Sequence, residues 1–98
     1  MYNNYTNINK YLKIMEQFNL LSNGILTLRD VSPSEKLVML QIATSKTLGH
    51  DRVNVTRSAE EIGYTRNGWQ KIAKRLIERG FVTNPKRGYY ELANTNIY

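Results

Sequence analysis

Cysteine is absent from the 98 residues, which excludes disulfides and thiolate metal sites. Histidine occurs once, as His50. The usual imidazole metal sites and nucleophile–base pairs therefore have nothing to be built from, and His50 reads as an ordinary loop residue. The longest uninterrupted apolar run, Leu37–Leu40, is far short of the roughly 20 residues that a membrane-spanning helix needs. The opening MYNNYTNINK lacks a basic stretch followed by an apolar one, so no secretory signal is read there; a cytoplasmic location is the default expectation. Acidic residues pair only at Glu60-Glu61 and Asp30/Glu35, positions that read as solvated or capping. No catalytic residue, cofactor or metal is expected, and the chain is not read as an enzyme.

What is present is enough for one domain with one modest core. Hydrophobic residues make up 41% and charged residues 22%, a globular rather than a disordered balance. Net charge is +6, and it is placed unevenly. Residues 64–90 hold Arg66, Lys71, Lys74, Arg75, Arg79, Lys86 and Arg87 against Glu78 alone, whereas residues 1–63 are nearly balanced. A basic stripe is the electrostatic footprint of a polyanion partner, although a solvated surface kept basic for solubility is an equal reading of charge taken alone.

Ile8, Leu12, Met15 and Phe18 recur at helical spacing, with Thr6 as N-cap, and predict an amphipathic helix over 6–18. Asn23-Gly24 then reads either as a hairpin turn or as the glycine end of a longer helix. Ser32-Pro33-Ser34-Glu35 carries an N-cap, a proline at the first helical position and a capping box, which predicts a helix over 32–46. Its buried side is read as Leu37, Leu40 and Thr44, with Val38 and Ile42 beside them. A loop and a short extended piece around Val53 follow. Asn54 caps a second helix with Val55, Ala59 and Ile62 inward, ended by Gly63. Thr65 caps a third, whose core stripe is Trp69, Ile72 or Ala73, and Leu76, ended by Gly80. Phe81–Thr83 and Tyr89–Leu92 flank Asn84–Gly88 and predict a hairpin with a five-residue loop, one of Tyr89 and Tyr90 packing inward.

Within SAEEIGYTRNGWQKIAKRLIERGFV, residues 58–82, the small Ala59, the turn at Gly63, a Tyr64 plugging the space beneath it, the Thr65 cap and the anchors Trp69 and Leu76 make a helix-turn-helix arrangement. These residues, with SPSEKLVML before them, resemble the winged helix-turn-helix domains of phage and plasmid replication proteins and small bacterial regulators, over roughly residues 32–92. Ser58 departs from the pattern, where the family carries a larger apolar residue. The resemblance implies an α+β fold, a three-helix core plus a β-hairpin wing, here with an extra N-terminal helix. It also implies a third helix in the major groove of double-stranded DNA and a wing on the backbone or minor groove. The role implied is that of a transcriptional regulator or a replication or segregation accessory factor of a mobile element such as a plasmid or phage.

The residues of the third helix suit such a role. With Trp69 inward, Asn67, Gln70, Lys71 and Lys74 fall on the solvent side, Arg66 at the start and Arg75 on one flank. Lysine and arginine neutralise phosphates or donate to guanine, and asparagine and glutamine pair with adenine. Thr65, at the helix N-terminus, and Lys86 and Arg87, at the wing tip, complete the expected DNA-binding set. Gly68 admits either a close phosphate backbone or packing beside Trp69. Residues 32–98 are read as the DNA-binding domain and 1–31 as a helix and extended segment. In that segment Ile8, Leu12, Met15 and Phe18 need a partner surface, on their own domain or on a second copy. A homodimer through residues 6–28 is expected, with double-stranded DNA as partner, a protein of a replication or segregation complex as a further one, and no membrane. The alternative is a winged-helix adaptor whose basic face binds an acidic protein.

Overall fold

The computed structural model describes residues 20–50 and 52–93. Among the described residues the architecture is α+β, four helices and a two-stranded antiparallel hairpin. Helix α1 is described over residues 20–26; α2 is Pro33–Thr47, α3 Val55–Glu61 and α4 Arg66–Glu78. Strand β1 is Val82–Lys86 and β2 Tyr89–Leu92. Ile8, Leu12, Met15 and Phe18 lie outside the described residues.

Each helix starts where its cap places it. Ser32 Oγ accepts from Glu35 N at 3.3 Å while Glu35 Oε1 accepts from Ser32 N at 3.1 Å, the reciprocal capping box, with Pro33 in the first turn. Asn54 Oδ1 accepts from Arg57 N at 3.1 Å, and Thr65 Oγ1 from Gly68 N at 3.0 Å. Helices α3 and α4 end at Gly63 and Gly80, both with positive φ. Past each, the chain folds back through a bond to the preceding turn: Tyr64 N–H donates to Ala59 O at 2.8 Å and Phe81 N–H to Leu76 O at 2.9 Å.

The core is centred on Trp69, which is fully buried. Ile72, Ala73 and Leu76 of α4 pack with Val38, Met39, Ile42 and Ala43 of α2, Ala59 of α3, Ile25 of α1 and Val82 of β1. Both Ile72 and Ala73 face inward. Tyr90 of β2 meets Trp69 edge-on, with centroids 5.2 Å apart. Burying Trp69 and the seven larger aliphatic side chains Ile25, Val38, Met39, Ile42, Ile72, Leu76 and Val82, each worth about 1.5–3 kcal/mol, is what holds the four helices and the hairpin together.

The structure departs from the sequence reading at five places. In α2 the buried stripe is Glu35, Val38, Met39, Ile42 and Ala43, while Leu37 and Thr44 face solvent. Leu37 to Leu40 are apolar in four successive directions, so periodicity does not select the face; packing against α4 and the hairpin does. Gly24 neither turns a hairpin nor ends the helix, because Thr27 N–H donates to Asn23 O at 3.1 Å and α1 runs on to residue 26. Val53 is buried but in no strand; its N–H makes a single bond, to Gly88 O at 3.0 Å. Tyr64 is exposed rather than inserted beneath the turn, and lies against Gly68.

The hairpin is the fifth. Strand β1 continues through Lys86, which pairs with Tyr89, leaving a two-residue turn at Arg87-Gly88 instead of a five-residue loop. The register slips between Thr83 and Lys86. Pro85, which has no N–H to donate, sits at that irregularity. Asn84 Nδ2 spans it by donating to Lys86 O at 2.9 Å and Tyr89 O at 2.6 Å.

Candidate nucleic-acid interface

Helix α4 is locked to the core along one side, which fixes what the other side presents. The Trp69 indole N–H donates to Gln41 Oε1 at 2.8 Å, and Gln41 Nε2 donates in turn to Ser58 O at 2.8 Å. One amide thus joins α2, α3 and α4. Opposite Trp69, the side chains of Arg66, Asn67, Gln70, Lys71, Lys74 and Arg75 are all exposed. At 100° per residue, Asn67, Lys71, Lys74 and the exposed Glu78 form the crest, Arg66 and Gln70 one flank, and Arg75 the other.

The two flanks face different parts of the molecule. Arg66 and Gln70 look toward the hairpin turn across a cleft of about 370 Å³, lined also by Arg52, Asn54, Arg87 and Gly88. Arg75 lies on the side of α2, near enough for its charge to act on Glu35. Arg66 is steadied by a 3.2 Å bond from Nη1 to Thr56 Oγ1. Lys86 stands over the ring of its strand partner Tyr89, 4.5 Å from the centroid. Among the described residues no carboxylate pairs with Arg52, Arg66, Lys71, Lys74, Arg75, Lys86 or Arg87; the ion pairs there use Lys46, Arg57 and Arg79 instead.

Arg79, counted in the basic stripe of the sequence, belongs to the scaffold. Its Nη1 is 3.4 Å from Glu35 Oε2, its Nη2 donates to Asp30 O, and its guanidinium lies over the Phe81 ring. It clamps the end of α4 to the start of α2. Burial pushes the Glu35 carboxyl up. The hydroxyl and backbone N–H of Ser32, with the charges of Arg79 and Arg75, outweigh that and hold it below the ordinary glutamate value.

Arg52 is the residue that the sequence reading missed. It precedes the first helix of the turn motif by three residues and carries no spacing signal. Two contacts bring it to the wing. Val53 N–H bonds to Gly88 O, and Arg52 lies so close to Gly88 that a Cβ there would stand 2.7 Å from its Nε. Gly88 is held to glycine by its φ of +85°, and a Cβ there would displace the flexible Arg52 side chain. Gly68 also has a local explanation: a Cβ would sit 3.2 Å from Thr65 Oγ1, the cap oxygen, and 3.5 Å from the Tyr64 ring. Thr65 itself is exposed at the head of α4.

Among the described residues no helix is long and apolar enough to cross a membrane, and no group of three or more His, Cys, Asp and Glu is placed to hold a metal ion. No protein-family model, curated protein or solved structure matches the chain.

Proposed function

We propose that the chain is a winged helix-turn-helix protein that binds double-stranded DNA without catalysis. In this reading α3 and α4 are the helix-turn-helix, α4 enters the major groove and the β1–β2 hairpin is the wing. The observation that carries it is the outward face of α4 together with the hairpin turn: six cations (Arg66, Lys71, Lys74, Arg75, Lys86 and Arg87) and two amides, with no carboxylate paired to any of the six among the described residues. A solvated helix kept only for stability mixes signs along its face and puts acids first and bases last. Helix α4 has Arg66 and no acid in its first turn, against the dipole at that end, while Arg75 in its last turn suits it. That arrangement makes sense when an anion sits at the head of the helix.

The composition of the outward face, crest and flank together, favours DNA over an acidic protein. Asn67 and Gln70 suit base edges, while Lys71 and Lys74 suit phosphates or guanine. A single module of this size buries only about 600–1,000 Å² on DNA, so the reading includes a homodimer. Exposed Leu20 and Leu26 on α1, 69% and 53% accessible, favour an apolar partner for that end of the chain. The resemblance in residues 32–92 extends the proposal to a regulator or a replication or segregation factor of a mobile element.

The test is fluorescence anisotropy with a labelled random-sequence duplex over a salt series, comparing wild type with Lys71→Ala/Lys74→Ala. DNA binding requires affinity that falls steeply with salt, and a shallower slope in the variant. Absence of binding at low salt and tens of micromolar protein, with retention of an acidic peptide, would replace DNA by an adaptor role.

A further inference from the structure

The cleft between α4 and the hairpin turn brings Arg52, Arg66 and Arg87 together from three separate segments: the stretch before α3, the head of α4 and the turn of the wing. None of the three has a carboxylate partner among the described residues. Like charges gathered in one cleft repel, so stability alone gives no reason for the grouping; an anion between them turns the repulsion into attraction. The polar groups beside them have the same bias. Asn54, which also lines the cleft, uses its Oδ1 to cap α3 and so has its amide nitrogen left to donate. Arginine is suited to this task because its planar guanidinium donates in a fork that matches the oxygens of a phosphate.

The geometry of a helix in a groove identifies the anion. An α-helix with its side chains is about 10–12 Å across and the major groove is about 12 Å wide. When the crest of Asn67, Lys71 and Lys74 meets the base edges, the two flanks of α4 must face the two sugar-phosphate walls. The flank with Arg66 and Gln70 is the one that continues into the arginine cleft. Three arginines lining one cleft from separate segments suit a tetrahedral anion on that wall better than a planar base edge, which is approached from within the groove.

We propose that this cleft is a phosphate clamp, in which Arg52, Arg66 and Arg87 together hold one backbone phosphodiester of the DNA strand on the wing side of the groove. Arg52 is then a DNA-contacting residue supplied from outside the helix-turn-helix. Gly88 is the position that lets it lie against the wing. The clamp rests on the DNA-binding reading and adds to it a defined contact and a fixed register of wing against helix.

The test uses the whole chain, a salt series on a duplex selected for tight binding, and Arg52→Ala with Arg52→Lys as the charge-preserving control. Arg52 is exposed, so circular dichroism of the variants should match wild type. The clamp requires Arg52→Ala to lower affinity on the order of tenfold at low salt and to reduce the salt slope by about one unit. Arg52→Lys keeps the slope but not the full affinity. Replacing single phosphates by neutral methylphosphonates then locates the contact: one position weakens wild type by more than it weakens Arg52→Ala, in which only Arg66 and Arg87 still hold that phosphate. A wild type that binds with a steep slope while Arg52→Ala matches it at every phosphate overturns the clamp and leaves DNA binding standing. A wild type that binds no DNA at low salt overturns both.

Discussion

The indole N–H of Trp69 donates to the side-chain oxygen of Gln41 across 2.8 Å, and 28 residues of chain separate the two. Gln41 completes the link by donating to the carbonyl of Ser58. The half-buried amide therefore satisfies a buried donor on α4 and a backbone acceptor on α3 from one position on α2. Ser58 takes part through its backbone carbonyl, so the bond does not depend on its side chain.

Gln41→Leu preserves volume and removes both bonds. It leaves the Trp69 N–H and the Ser58 carbonyl without partners, a loss of about 1–3 kcal/mol for each group so stranded in a dry site. Urea denaturation should show a lower midpoint with an unchanged slope. A midpoint equal to wild type would mean that water reaches the indole N–H in solution.

Glu35 gives the fold an acid limit. Its folded-state pKa is depressed, because Ser32 and the arginines outweigh burial. A depressed carboxyl stabilises fully above its unfolded value of about 4.3, and that contribution is lost as pH falls through the lower folded value. Stability should therefore decline as pH drops below about 4.3, and Glu35→Gln should flatten this limb while keeping the capping box. Thermal melts from pH 7 to pH 2.5 decide it. Parallel curves for the two proteins would assign the acid limb to other carboxyls.

Gly88→Ala meets two obstacles at once, a φ of +85° and the Arg52 side chain at 2.7 Å from the new Cβ. The backbone cost alone is about 1–2 kcal/mol. The core does not pass through this turn, so the variant should fold with a modestly lower melting temperature. DNA affinity should fall by more than the loss of stability explains, because Arg52 is pushed off the wing. Binding isotherms measured well below the melting temperature separate the two effects.

Association through the N-terminal segment is tested by Leu12→Glu/Phe18→Glu in sedimentation equilibrium. Wild type should sediment as a dimer at micromolar concentration and the variant as a monomer. A monomeric wild type would remove the homodimer from the proposal, and the apolar side of residues 6–18 would then belong on its own domain.

The sequence by itself determined the features that local chemistry decides. Ser32, Asn54 and Thr65 start α2, α3 and α4 because a side-chain oxygen reaches an amide three residues on. Gly63 and Gly80 end helices because the chain must there take a positive φ. The stripe of Trp69, Ile72, Ala73 and Leu76 is legible because α4 is otherwise polar save for Gly68 and Ile77, and the exposure of Asn67, Gln70, Lys71 and Lys74 follows from it. Where the polarity signal is weak, as in Leu37–Leu40 of α2, the inward face was settled only by what packs upon it. The tertiary structure alone decided which cations are free. Arg79 is drawn to Glu35, 44 residues away, while Arg52 is carried to the wing by the bond from Val53 to Gly88. Both outcomes depend on where segments distant in sequence come to rest around Trp69. Hydrophobic burial sets that arrangement, and it is non-directional and leaves no mark in the spacing of the charges it brings together.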